Sequence, residues 1–174
     1  MSYVPSHQGN FPTAQPIALT VIEHTANTSQ SITTTPQTIL IGTIHNWYGS
    51  FTPTISSNQF TLASGYFYYI ETSVQAYNIN IDTNTMDFTF QHYDETNSAY
   101  IGTPATDFGG AGSSGDVQLF SRDATAKFVV DCTSAARNIS IKMTLTDQYD
   151  HINYNSANYI YAGLGRTVIW QLDT

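Results

Sequence analysis

Apolar and polar residues alternate with a period of two along much of this chain. In Asn138–Thr146, Ile139, Ile141, Met143 and Leu145 point one way, and Ser140, Lys142, Thr144 and Thr146 the other. Thr125–Asp131 sets Ala126, Phe128 and Val130 inward, and Met86–Tyr93 does so with Met86, Phe88, Phe90 and His92. Successive side chains of a strand face opposite sides, so each run predicts a half-buried strand in an antiparallel sheet. Further strands are predicted over Ile17–Glu23 (Ile17, Leu19 and Val21 on one face), Thr38–Trp47, Asn58–Ala63, Tyr66–Tyr77, Asp116–Ser121, Asn158–Ala162 and Thr167–Leu172. Thr25–Thr35 reads as a polar connection ending at Pro36, and Trp47–Pro53 as a turn. No run of ten residues has helical spacing. Many short strands divided by Gly, Pro, Asn and Asp predict an all-β sandwich or barrel.

Two stretches break the alternation. Residues 1–16 carry Pro5, Pro12 and Pro16 with Gly9 and Asn10, and proline cannot donate a ladder hydrogen bond. This segment is a frayed terminus or an extended arm ordered on a neighbouring subunit. The apolar Tyr3, Val4 and Phe11 favour the arm, as its anchors. Residues 17–174 then form the folded domain. Gly102–Gly115, with Pro104 and Gly109, Gly110, Gly112 and Gly115, reads as a mobile loop.

Composition changes the picture of the surface. Only 10% of the 174 residues are charged, where about 25% is ordinary, so the polar strand faces are built of Thr, Ser, Asn and Tyr. Such a surface is suited to meeting other protein as much as water. The 13 acidic and 5 basic residues give a net charge of −8, which disfavours a nucleic-acid partner. The one cysteine, Cys132, shares the inward parity of Phe128 and Val130 and reads as a small buried hydrophobe. No long apolar run predicts a membrane span. Met1–Pro16 has neither the basic start nor the apolar core of a secretory signal, so the expectation is a protein made and assembled in a cytoplasm.

Matches to catalytic and binding motifs do not survive their context. Gly110–Gly115 spells G-x-G-x-x-G, but an alternating strand follows where a dinucleotide site needs a helix N-terminus. Asp107-Phe108-Gly109 is a kinase triplet without the other kinase elements. His7, His24, His45, His92 and His151 have no zinc-pair spacing, and His92 reads as a hydrogen-bonded core residue. Asp82–Asp87 begins like a calcium loop but places Met86 and Asp87 where a ligand and the turn glycine belong. The expectation is therefore no catalytic residues, no metal and no cofactor.

Tyr66–Tyr77 carries more information. Tyr66, Tyr68, Ile70, Thr72, Val74 and Ala76 form a core face, which aims Phe67 and Tyr69 at the opposite surface. Such a sticky patch is covered by the chain's own loops or by another subunit. An apolar strand pair, the strand Phe60-Thr61-Leu62, then Gly65 and an aromatic strand resemble the tumour necrosis factor and complement globular-head family. Arg166–Leu172 resembles that family's closing strand, which ends beside the N-terminal one. The resemblance covers roughly Ile17–Leu172 and implies an antiparallel jelly-roll β-sandwich that forms a homotrimer, with Phe67, Tyr69 and Tyr161 at the trimer interface. The family's Phe-Gly pair before the last strand is missing here. Phage and viral surface proteins adopt the same jelly roll, and the acidic, Thr/Asn/Ser/Tyr-rich composition and the arm are similar to theirs. The implied role is a structural virion protein, a capsid decoration (cement) protein contacting the major capsid protein or neighbouring virion subunits. The alternative is the receptor-binding knob of a viral fibre or tail, with Trp47, Tyr48, Tyr149 and Tyr154 touching host glycans.

Overall fold

The computed structural model describes residues 16–24, 29–32, 35–74, 76–78, 86–109, 118–120, 125–148, 158–161 and 165–173. Tyr3, Val4, Phe11, Tyr149, Tyr154, residues 82–85 of the calcium-loop-like stretch and the glycine motif at 110–115 lie outside the described residues.

Among the described residues every regular element is a strand. In chain order they are β1 (Pro16–His24), β2 (Ser29–Ile32), β3 (Gln37–Thr38), β4 (Ile41–Tyr48), β5 (Thr54–Ser56), β6 (Gln59–Leu62), β7 (Phe67–Ser73) and β8 (Ala76–Asn78). These are followed by β9 (Met86–Asp94), β10 (Ala99–Gly109), β11 (Gln118–Phe120), β12 (Thr125–Asp131), β13 (Arg137–Gln148), β14 (Asn158–Tyr161) and β15 (Arg166–Leu172).

The strands form two layers of antiparallel sheet, as the alternation predicts. One layer has the order β12-β7-β15-β1-β4, and the other the order β10-β9-β13-β6-β5 with β3 beside β13. A four-stranded sheet, β11-β8-β14-β2, repeats the first order with each strand's sequence neighbour. It prolongs the first layer beyond an interruption. This is a jelly-roll sandwich, and its closing strand β15 lies between β1 and β7.

Between the layers lies a core of Ile22, Phe60, Leu62, Tyr68, Ile70, Phe88, Phe90, Ile139, Ile141 and Ile169, all fully buried. The inward parity predicted for β12 and β13 holds: Ala126, Phe128, Val130, Cys132, Ile139, Ile141 and Met143 are buried. Tyr68 spans the sandwich, its ring 5.0 Å from that of Phe51 and its hydroxyl donating to the Ala63 carbonyl at 3.1 Å.

Four expectations from the sequence need correction. Thr38–Trp47 is not one strand: Thr38 pairs with Lys142 in one layer and Ile41–Tyr48 with β1 in the other, so the chain changes layer at Ile39–Leu40. Tyr66–Tyr77 likewise divides, into β7 and β8. The connection Thr25–Thr35 contains β2, whose polar Ser-Gln-Ser gives no apolar period to read. Of the expected loop Gly102–Gly115, residues 102–109 belong to strand β10, paired with β9, and the rest lies outside the described residues. The strand's register shifts between Ile101 and Ala105, a bulge that absorbs Gly102 and Pro104. Gly102 has φ +72°, and a Cβ there would lie 2.7 Å from that of Phe128, so glycine is the residue that fits.

Candidate functional site

The first layer distributes polarity in an unusual way. Alternation on β7 buries Tyr68, Ile70 and Thr72 and leaves Phe67, Tyr69 and Glu71 half-buried on the outer side. On β15, Thr167, Ile169 and Gln171 go inward while Val168, Trp170 and Leu172 face out. On β1, Ala18, Thr20, Ile22 and His24 go inward, so the apolar set Ile17, Leu19 and Val21 read from the sequence occupies the outer side. Several polar residues are thus held inside beside Ile22, Tyr68, Ile70 and Ile169, while a set of large apolar residues lies outside. The inward polar groups find partners on other segments: Thr20 Oγ1 donates to the Phe51 carbonyl at 2.9 Å, and Gln171 Nε2 to the Tyr68 hydroxyl at 3.2 Å.

Register turns the outer residues into rows. Val129 lies opposite Tyr69, Tyr69 opposite Trp170, Trp170 opposite Leu19, and Leu19 opposite Tyr48. This row crosses all five strands. Tyr69 and Trp170 touch, with ring centroids 5.1 Å apart. Phe67 and Leu172 form a neighbouring pair toward one end, and Val168 and Val21 lie on the other side. The charged residues flank the apolar band in pairs: Lys127 Nζ to Glu71 Oε2 at 3.4 Å and His45 Nε2 to Glu23 Oε2 at 3.2 Å. Tyr69 donates its hydroxyl to Glu71 at 3.3 Å, and burial together with that carboxylate raises its phenol above the ordinary value.

Exposure is greatest at the two ends of the row. Val129 is 61% exposed on edge strand β12, and Trp47 and Tyr48 are 72% and 45% exposed on edge strand β4. Trp47 is the extra residue where the β1–β4 register slips between Leu19 and Thr20. A bulge of this kind turns a side chain away from the sheet.

Phe67 and Tyr69, singled out from the sequence, therefore share one face. Tyr161 lies elsewhere: β14 pairs it with Ser29 in the four-stranded extension, and its side chain is outside the description. Val129, Trp170 and Leu172 belong to the same band and were not singled out, while Leu19 was read only as part of an apolar strand face and Tyr48 only as a glycan contact. The signal that finds them is register, because each strand alone shows only which residues share a side.

The opposite layer is covered differently. Lys142 Nζ reaches Glu95 Oε1 and Thr38 Oγ1, each at 2.7 Å, and lies over the Tyr93 ring at 5.1 Å. An open groove of about 490 Å³ runs between edge strands β10 and β12, lined by Ile101, Phe128, Lys127 and Arg137. Both of its cations are already paired, Arg137 with the buried Asp94 at 2.7 Å. Among the described residues no three His, Cys, Asp or Glu side chains converge to hold a metal ion.

No family model and no curated protein sequence matches the chain. Among solved structures it is similar in fold to Eiger TNF from S. frugiperda, with a TM-score of 0.50 and 9% identity. The match covers 92% of this chain and 96% of that one. The likeness extends over nearly the whole of both chains and establishes a TNF-like jelly-roll β-sandwich.

Proposed function

We propose that this chain is a structural, non-enzymatic virion protein, a capsid decoration protein that assembles as a homotrimer through the outer face of β12-β7-β15-β1-β4. The observation that carries the reading is the row Val129–Tyr69–Trp170–Leu19–Tyr48. A soluble monomer rarely spreads so many large apolar side chains over one face, and a subunit interface is what that face suits. Phe67 and Leu172 extend it. Association would remove this band from water while leaving the Lys127–Glu71 and His45–Glu23 pairs at its rim.

Composition supports the setting. A chain with 10% charged residues and a net charge of −8 fits a protein packed against other coat subunits, not one bound to nucleic acid or an anionic membrane. Attachment to the shell would be multivalent: three arms, each with Tyr3, Val4 and Phe11 as anchors, multiply modest contacts through effective concentration. The protein would be assembled in the host cytoplasm and reside on the virion, with no cofactor.

The exposed Trp47 and Tyr48 favour a second reading, a fibre or tail knob in which these aromatics stack on host glycans. Copy number separates the two. A quantified virion gel should show hundreds of copies per particle for a decoration protein; a few dozen or fewer overturns decoration in favour of the knob.

A further inference from the structure

Two histidines 68 positions apart meet inside the sandwich. His24, the last residue of β1, and His92 on β9 are 2% and 0% exposed. A continuous chain of hydrogen bonds joins them. His24 Nε2 lies 3.2 Å from Thr167 Oγ1, Thr167 Oγ1 lies 2.9 Å from Thr72 Oγ1, and Thr72 Oγ1 lies 2.7 Å from His92 Nε2. The first three residues belong to one layer and His92 to the other, so the last bond ties the sheets together. We propose that His24–Thr167–Thr72–His92 is an acid-operated latch, closed while both imidazoles are neutral and opened when either takes up a proton.

Proton counting shows why the closed state requires neutral rings. Three hydrogen bonds need three protons, and the two threonine hydroxyls supply two. One imidazole donating through Nε2 completes the chain, and the other accepts at Nε2. Adding a proton to a ring makes both its nitrogens donors. Among the described residues the Nδ1 atoms of His24 and His92 are buried with no hydrogen-bond partner. On the donating ring the added proton falls on Nδ1 and has nothing to bond; on the accepting ring it falls on Nε2 and collides with the threonine O–H that donates there. Nor can the His24 ring easily move: a Cβ at residue 165 would lie 2.3 Å from its Nδ1, so the ring is packed directly against the Gly165 backbone.

Among the described side chains a protonated ring would also find no counter-charge. His92 is packed on the Phe128 ring at 4.5 Å, and its cross-strand neighbours are Ile101 and Ile141. The charged groups on the strands around the pair are engaged elsewhere. Glu71 of β7 pairs with Lys127 of β12, and Glu23 of β1 with His45 of β4. Lys142 of β13 pairs with Glu95, and Asp94 of β9 with Arg137. Arg166 at the start of β15 is exposed. A protonated His24 would also repel a proton on His92.

Burial accordingly lowers His24 from 6.5 to about 4 and His92, with His24 adding to the effect, to about 3. Folded-state values below the unfolded one mean that the latch's stability is complete above pH ~6.5 and drains away as the pH falls from there towards 4. Near pH 5 the unfolded chain holds about two more protons at these sites than the folded one, so the unfolding constant gains about a hundredfold per pH unit from them.

The test is urea unfolding of the full-length protein from pH 6.5 to 4.5, for wild type, His24→Gln, His92→Gln and the double variant. Each substitution should reduce the pH-dependence of the unfolding constant by about tenfold per unit, and the double variant by about a hundredfold. An equal slope in wild type and double variant overturns the latch. Should the variants not fold, imidazole NMR of the folded wild type decides. Two rings still neutral at pH 5 support the proposal, and all rings protonated at pH 5 in the folded protein overturn it.

Discussion

Val129→Lys separates assembly from folding. Val129 is 61% exposed on an edge strand, flanked by Lys127 and Asp131, and its cross-strand partner is Tyr69. Loss of its remaining contacts within one chain should cost the fold no more than about 0.5 kcal/mol, the usual range for a surface change. Assembly is another matter. Full burial of a valine is worth about 1.5–3 kcal/mol, so covering the exposed 61% contributes about 1–2 kcal/mol per subunit. Over three subunits that is about 3–6 kcal/mol, or about a hundredfold to ten-thousandfold in the assembly constant. A lysine ammonium buried in its place adds several kcal/mol of opposing desolvation for each copy. Sedimentation equilibrium at micromolar concentration should find a trimer for the wild type and a monomer for the variant, with melting of the isolated monomer fold unchanged. A variant that stays trimeric, or a wild type that is monomeric throughout, refutes the assignment of this face.

Three further outcomes follow from the same structure. Gly165→Ala places a methyl 2.3 Å from His24 Nδ1, so it should displace that ring and lower stability by about 2 kcal/mol or more in thermal melts at pH 7; an unchanged melt would mean the ring is not packed there. Asp94→Ala removes a fully buried carboxylate that accepts from Arg137, Asn97 and the Thr96 amide, and should cost about 3 kcal/mol, softened because the Arg137 side chain is 30% exposed and can reach water. Burial alone would raise that carboxyl, but the Arg137 and Asn97 hydrogen bonds win and lower it. The wild type therefore loses this contribution as pH falls below the ordinary carboxylate range, and Asp94→Ala should flatten the acid limb of its stability curve. Deleting residues 1–15 leaves β1 intact from Pro16 and should preserve folding and trimerisation while abolishing binding to stripped particles; undiminished binding in a pelleting assay would remove the arm from the proposal.

Periodicity carried the fold class because alternation follows directly from strand geometry, whatever the partner. It is silent on which side of a strand becomes the interior. β1 shows this most clearly: Ile17, Leu19 and Val21 look like a core face, yet Ala18, Thr20, Ile22 and His24 are the buried set. Two of those four are polar, and hydrophobicity alone would place them in water. Their partners, the Phe51 carbonyl and Thr167, are supplied by distant segments that only the topology brings near. Gly102 and Pro104 misled for a related reason. They are breakers in isolation, but a bulge accommodates them, and Gln91 Nε2 secures the strand by donating to the Gly102 carbonyl at 2.7 Å.

The reversal in the first layer links the two proposals. A sheet meant to face water on its outer side would gain by placing Thr20, Thr72, Thr167 and Gln171 there and Leu19, Val168, Trp170 and Leu172 within. This chain does the opposite on three adjacent strands, β7, β15 and β1. An apolar outer side is stabilising only when it is covered, and a polar inner side only when every hydroxyl and imidazole finds a partner. The inner condition is met by the two threonines and two histidines, at the cost of leaving both Nδ1 atoms unpaired. Thr72 and Thr167 alternate along β7 and β15 with Tyr69, Glu71, Val168 and Trp170 of the outer band, so the backbone they hold is the backbone that presents that band. Protonation that releases the inner chain should therefore loosen the strands carrying the outer one, and the trimer should dissociate over the same acid range in which the His24 and His92 slopes appear. Dissociation that follows the carboxylates instead, unchanged in the double histidine variant, would show that the two sides of the sheet act independently.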